Sequence, residues 1–144
     1  MKYLFDTNIL IAALIGTHSQ HDPALPWLQK VYRKEIEGYI SVHTIAELYA
    51  VISRIPDLQT ISPEYIVEQI EEEVLNNFEV ISLNKEEYLS IIKHLAQIGL
   101  TGGIVYDAVI VFAGIKANVD HILSFNAKHF RRVYPTFAHK IIIP

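Results

Sequence analysis

The chain has 144 residues, of which 51% are hydrophobic and 19% charged; its net charge is −4 and it has no cysteine. That length suits one domain, 1–144, with room for a real core. The lack of cysteine excludes disulfides and thiolate metal sites and fits a reducing cytoplasm, and the negative charge argues against a protein that coats nucleic acid by general basicity. No apolar run reaches the roughly 18 residues of a membrane span, and Asp6 and Asn8 fall where a signal peptide needs its apolar core. The expectation is a cytoplasmic chain with no membrane contact.

Strand-like and helix-like stretches alternate. Lys2 to Phe5 reads as a strand, followed by a helix from about Thr7. Pro23 to Glu37 reads as a helix with Pro23 or Pro26 near its start. "GYISV" is a second strand, and "TIAELYAVIS" a helix whose Ile45, Leu48, Tyr49 and Ile52 recur at helical spacing. Ser62-Pro63 opens a helix through the Glu71-Glu72-Glu73 run, read as a solvated face. "FEVISL" is a third strand. Lys85 to Gln97 is helical and stops near Gly99; Gly102-Gly103 introduces a helix from about Ile104 to Ala117. "HILSF" is a fourth strand and "KIII" a fifth. Such alternation predicts an α/β fold with a mostly parallel sheet covered on both faces. Sites in such sheets form beyond the carboxyl ends of the strands.

Three acids do not fit a purely structural reading. Asp6 ends the first strand. Glu47 lies in the first turn of the helix after the second, and Asp107 in the first turn of the helix after Gly102-Gly103. Asp6 has an alternative role as a helix cap. Glu47 has one too, because Thr44-x-x-Glu47 matches a capping box. Asp107 is harder to explain, since Gly103, Ile104, Ile110 and Val111 surround it at helical spacing. Two carboxylates about 5 Å apart repel by roughly 3 kcal/mol at an effective dielectric of about 20. No lysine or arginine lies within five positions of Glu47 or Asp107. A divalent cation is the simpler neutraliser, and oxygen-only ligands suit Mg²⁺ or Mn²⁺.

"SFNAKHF" adds a polar cluster at the end of the fourth strand. Asn126 can lend a carbonyl oxygen to a metal or cap the next helical turn. His129 has no second histidine at ligand spacing, which argues against zinc. His18 and His21 read as surface residues, and no histidine is placed to act as a general base. Lys30, Arg33 and Lys34 read as a solvated face. Lys128, Arg131 and Arg132 form a second basic group within reach of phosphates.

"FDTNILIAAL", "ISVHTIAELYAVI" and "IVYDAVIVFAGIKANVDHILSFNAKHF" together resemble the PIN-domain family in order and spacing, and within it the VapC-like toxin ribonucleases of type II toxin–antitoxin pairs. The resemblance covers nearly the whole chain. It implies a three-layer α/β/α sandwich with a metal site at one edge. It implies metal-dependent hydrolysis of RNA phosphodiester bonds, with water attacking in line and a 3′-hydroxyl leaving. Asp6, Glu47 and Asp107 would be the acidic metal-site residues. Asn126 stands where the family often has a fourth acid, which makes one firmly bound metal the expectation. Asn8 and Ser124 match supporting positions. The implied partners are an RNA substrate, a cognate antitoxin and a second copy of the chain. The rival readings are a housekeeping PIN nuclease, a non-catalytic module whose acids grip a basic peptide, and a haloacid-dehalogenase-like phosphatase. The last needs a second Asp where Asn8 stands.

Overall fold

The computed structural model describes residues 1–58 and 60–144. Five strands form one sheet: β1 (Lys2–Phe5), β2 (Glu37–Ser41), β3 (Glu79–Ile81), β4 (His121–Leu123) and β5 (Ile141–Ile142). Their order is β3-β2-β1-β4-β5, and every pairing is parallel. The chain builds one half of the sheet outward from β1 and then returns to β1's other edge. The strand order therefore reverses between β1 and β4, and a crevice opens beyond their carboxyl ends.

Alternation along the strands sorts the core into two. Leu4 and Ile122 face one side of the sheet, Phe5 and Leu123 the other. On the Phe5 side lie α1 (Thr7–Leu14), α2 (His21–Tyr32), α3 (Val42–Ile52) and α4 (Pro63–Gln69). On the Leu4 side lie α5 (Lys85–Gln97), α6 (Ile104–Lys116) and α7 (Ala127–Val133). This is the expected α/β/α sandwich. Gly38 of β2 passes beneath Phe78, and a Cβ there would come within 2.6 Å of the ring, so the close packing demands glycine. Among the described residues, no helix is long and apolar enough to cross a membrane.

Several boundaries differ from the sequence reading. The second helix ends at Tyr32 because the chain turns through Lys34, whose φ is 58°, and Glu37 already belongs to β2. Both Pro23 and Pro26 lie within the helix, which starts at His21. The helix opened by Ser62 and Pro63 becomes π-helical over Ile70–Leu75. Glu71 and Glu72 of its acidic run are exposed, but Glu73 is half-buried and accepts the Tyr32 hydroxyl at 2.6 Å. His18 and His21 are half-buried rather than on the surface. His18 Nδ1 accepts the Gln20 amide, and the His21 ring bonds the Ala12 carbonyl near the end of α1.

Candidate active site

β1 delivers Asp6 to the crevice. The Asp6 amide donates to the Leu123 carbonyl, which pins the end of β1 to the end of β4. Asp6 occupies the N-cap position of α1, yet its carboxylate makes no capping hydrogen bond. It instead accepts the Ser124 hydroxyl at 2.6 Å. Ser124 is fully buried, and its oxygen also accepts the Asn126 amide at 2.8 Å. One serine thus orients the acid and shapes the loop leading to α7.

Glu47 does not form the capping box that was its alternative role. Helix α3 begins at Val42 and is capped by Ser41, which accepts the His43 amide at 3.2 Å, so Glu47 lies beyond its first turn. The Glu47 carboxylate is held by the Thr7 hydroxyl at 2.9 Å, and Thr7 Oγ1 is 3.0 Å from the Thr44 hydroxyl. His43, one turn earlier on the same helix, places Nε2 3.6 Å from Glu47 Oε1.

Asp107 sits in the first turn of α6. Its partner comes from α7, where His129 Nδ1 lies 3.6 Å from Asp107 Oδ2. The Asn126 side chain helps hold the Asp107 carboxyl down, and its amide nitrogen is 3.1 Å from His129 Nδ1. Asn126 occupies the N-cap position of α7 without capping it. Asn8 Oδ1 accepts the Phe125 amide at 3.4 Å and ties α1 to the loop after β4.

The three acids lie within electrostatic reach of one another. Burial pushes the Asp6 carboxyl up to about 7, opposed by the Ser124 hydrogen bond and reinforced by the negative charges of Glu47 and Asp107. Burial also raises Asp107; His129 and Asn126 oppose the shift, and Glu47 adds to it. Among the described residues, none of the three is paired with a lysine or arginine. Each carboxylate is drawn to its own donor: Asp6 to Ser124, Glu47 to Thr7, Asp107 to His129. Among the described residues, no three Asp, Glu or His side chains are drawn in tightly enough to close on an ion as they stand. The oxygen donors, their mutual repulsion and the absence of a balancing cation among the described residues are what a hard divalent ion relieves, so the donor set fits one.

Two histidines stand at the acids, His43 beside Glu47 and His129 beside Asp107, where the sequence reading placed no histidine to act as a general base. The i,i+4 spacing of His43 and Glu47 is visible in the sequence, whereas the approach of His129 to Asp107 depends on β4 and α7 packing beside α6. Thr7 escaped the sequence reading as a site residue, whereas Arg132 belongs to the basic group read there as within reach of phosphates. Arg132 lines an open groove beside Asp107 with Leu100, Thr101, Ile104 and His129.

Ser124→Ala is expected to cost about 1–3 kcal/mol, because the Asn126 amide loses its partner and the buried Asp6 carboxyl its donor. The Asp6 carboxyl should move further up, since the Ser124 bond opposes the rise. Urea unfolding and a carboxyl-carbon NMR titration measure the two effects. An unchanged Asp6 titration would show that Ser124 does not hold it.

Gathered at the switch point of a parallel sheet, these residues place the chain among α/β proteins with an acidic site at a strand-end crevice. The family is narrower: residues 3–134 match the model of the PIN domain, and the chain belongs to that family. It is 31% identical to Ribonuclease VapC27 of Mycobacterium tuberculosis (strain ATCC 25618 / H37Rv) over 108 residues, 75% of this chain and 73% of that protein. Ribonuclease VapC40 of the same strain is 27% identical over 107 residues, 74% of each chain. The fold resembles the crystal structure of VapBC2 from Rickettsia felis bound to a promoter DNA fragment, with a TM-score of 0.65 and 22% identity over 100% of this chain and 98% of that one. FitAcB from Neisseria gonorrhoeae also gives 0.65, at 16% identity over 98% and 95%.

Proposed function

We propose that this chain is a divalent-metal-dependent endoribonuclease and the toxin of a toxin–antitoxin pair, working in the cytoplasm as a single domain. The observation that carries the chemistry is the convergence of Asp6, Glu47 and Asp107 without a balancing lysine or arginine among the described residues. Relatives named ribonucleases support the substrate class. Solved structures of the same fold that come from VapBC and FitAB complexes support an antitoxin partner. A second copy of the chain is the other proposed partner. Either one would cover exposed apolar side chains such as Leu89 and Ile92 of α5, 46% and 50% exposed.

Asp6, Glu47 and Asp107 would hold Mg²⁺ or Mn²⁺, with the Asn126 side chain beside Asp107. A bound ion of this kind lowers the pKa of a water and offsets charge on a phosphate. The chain's own work is to hold the donors in place. Ser124 fixes the rotamer of Asp6, Thr7 that of Glu47, and His129 with Asn126 that of Asp107. His129, beside Asp107, is the imidazole at hand to hold or pass a proton beside the reacting phosphate. Asn8 supports the site indirectly, by tethering the loop that carries Ser124 and Asn126.

Arg132, with Lys128 and Arg131 on the same short helix, supplies positive charge beside the groove. Arg132→Ala is expected to weaken RNA binding and to lower the slope of log K against log salt by about 0.7, one phosphate contact on a single strand. Filter binding across a salt series reads this directly, and an unchanged slope would remove Arg132 from the RNA path.

Cleavage of a panel of structured and unstructured RNAs tests the function itself. Wild type should cleave with Mg²⁺ or Mn²⁺ and stop with EDTA, and Asp107→Asn should be inactive. Cleavage that survives EDTA, or is equal in the variant, would refute the reading.

A further inference from the structure

At the rim of the acids stands an aromatic pair that the reaction chemistry leaves unused. Tyr106 directly precedes Asp107 on α6 and is 55% exposed. Its ring stacks on His43 of α3, with centroids 5.3 Å apart and planes 8° from parallel. His43 in turn lies against Glu47. The pair therefore links two of the three acids, one through the adjacent residue and the other through a turn of helix.

A lone exposed tyrosine is ordinary on a protein surface. Tyr106 differs because its ring is already ordered by a partner from a second helix. A flat ring held in advance loses less freedom when another flat group stacks on it. Tyr49 and Tyr65 are also exposed, yet among the described residues neither stacks on another ring.

We propose that Tyr106, backed by His43, is the platform on which an unpaired nucleobase stacks beside the cleaved phosphodiester. The proposal rests on the ribonuclease reading and narrows its substrate class to single-stranded or looped RNA. A base inside a duplex is already stacked on both faces and cannot lie on the ring without leaving the helix. Every base has a π-face, so the platform selects unpaired over paired RNA and tolerates base identity. Tyr106 touches substrate on this account, and His43 is a positioning residue.

Two measurements test it. Fluorescence anisotropy uses a short labelled RNA, single-stranded or annealed to its complement, in the Asp6→Asn background, where cleavage is removed. Adding Tyr106→Ala should weaken single-strand binding about tenfold. Adding Tyr106→Phe should keep it within about twofold, and duplex binding should not change. In the otherwise wild-type protein with Mg²⁺, Tyr106→Ala should raise KM on the single strand with little change in kcat, and His43→Ala should raise KM more weakly. Equal single-strand binding and KM in Tyr106→Ala would overturn the platform while leaving the nuclease reading intact. A wild-type protein that neither binds nor cleaves RNA would overturn both.

Discussion

Asp6→Asn should make the metal-free protein more stable at about pH 8, by up to about 4 kcal/mol. The Asp6 carboxyl is 6% exposed and is raised from 3.8 to about 7 by burial and by its acidic neighbours. The folded state therefore holds this proton more tightly than the unfolded state does. Below about pH 4 both states are protonated and the group contributes nothing. As pH rises from about 4 to about 7, unfolding releases a proton and the wild type loses stability, at about 1.4 kcal/mol per pH unit. Above about pH 7 the full cost persists, because a charged group is buried beside two others. Asparagine does not titrate, so the gain from substitution should be largest at about pH 8, smaller at about pH 6 and absent near pH 4. Urea unfolding of both proteins in EDTA at these pH values measures it. A variant less stable than wild type at about pH 8 would show that Asp6 is satisfied without a metal.

Phe130→Ala should cost about 3–5 kcal/mol, a large share of the roughly 5–15 kcal/mol that stabilises a typical fold. Phe130 is fully buried in the core cluster formed by α5, α6 and α7 on the Leu4 face of the sheet. It anchors α7, the short helix that carries His129 and follows Asn126. A cavity there would loosen the contact of His129 with Asp107 as well as the core. Urea denaturation should show a lower midpoint with an unchanged slope. A loss below about 1 kcal/mol would mean that α7 is not held by this ring.

The strands and the position of Asp6 were readable in the sequence because alternation and apolar runs report burial directly. Lys2–Phe5 and Lys85–Gln97 appear in the structure with the boundaries read from the sequence. Glu47 shows the limit of local reading. Ser41 and Thr44 are both sound caps, and Thr44-x-x-Glu47 fits a capping box, but the helix starts at Val42. The contact with Thr7, on another helix, decides where the carboxylate goes. The end of α2 carries no glycine to announce it; Lys34 takes a left-handed turn instead. The π-helical stretch after Gln69 has no cue in its composition. Asp107 visibly needed a partner, but that His129 and Asn126 supply it follows only once β4 is placed beside β1. The stack of His43 on Tyr106 likewise depends on α3 meeting α6.

Calorimetric titration of Mn²⁺ into wild type, Asp6→Asn and Asp107→Asn tests the central claim most directly. The account predicts saturable binding to the wild type and at least about tenfold weaker binding to both variants, because each loses a charged oxygen donor to the ion. Equal binding by all three proteins, or none by the wild type, would contradict it: the acids would then be gathered at the crevice for something other than a cation.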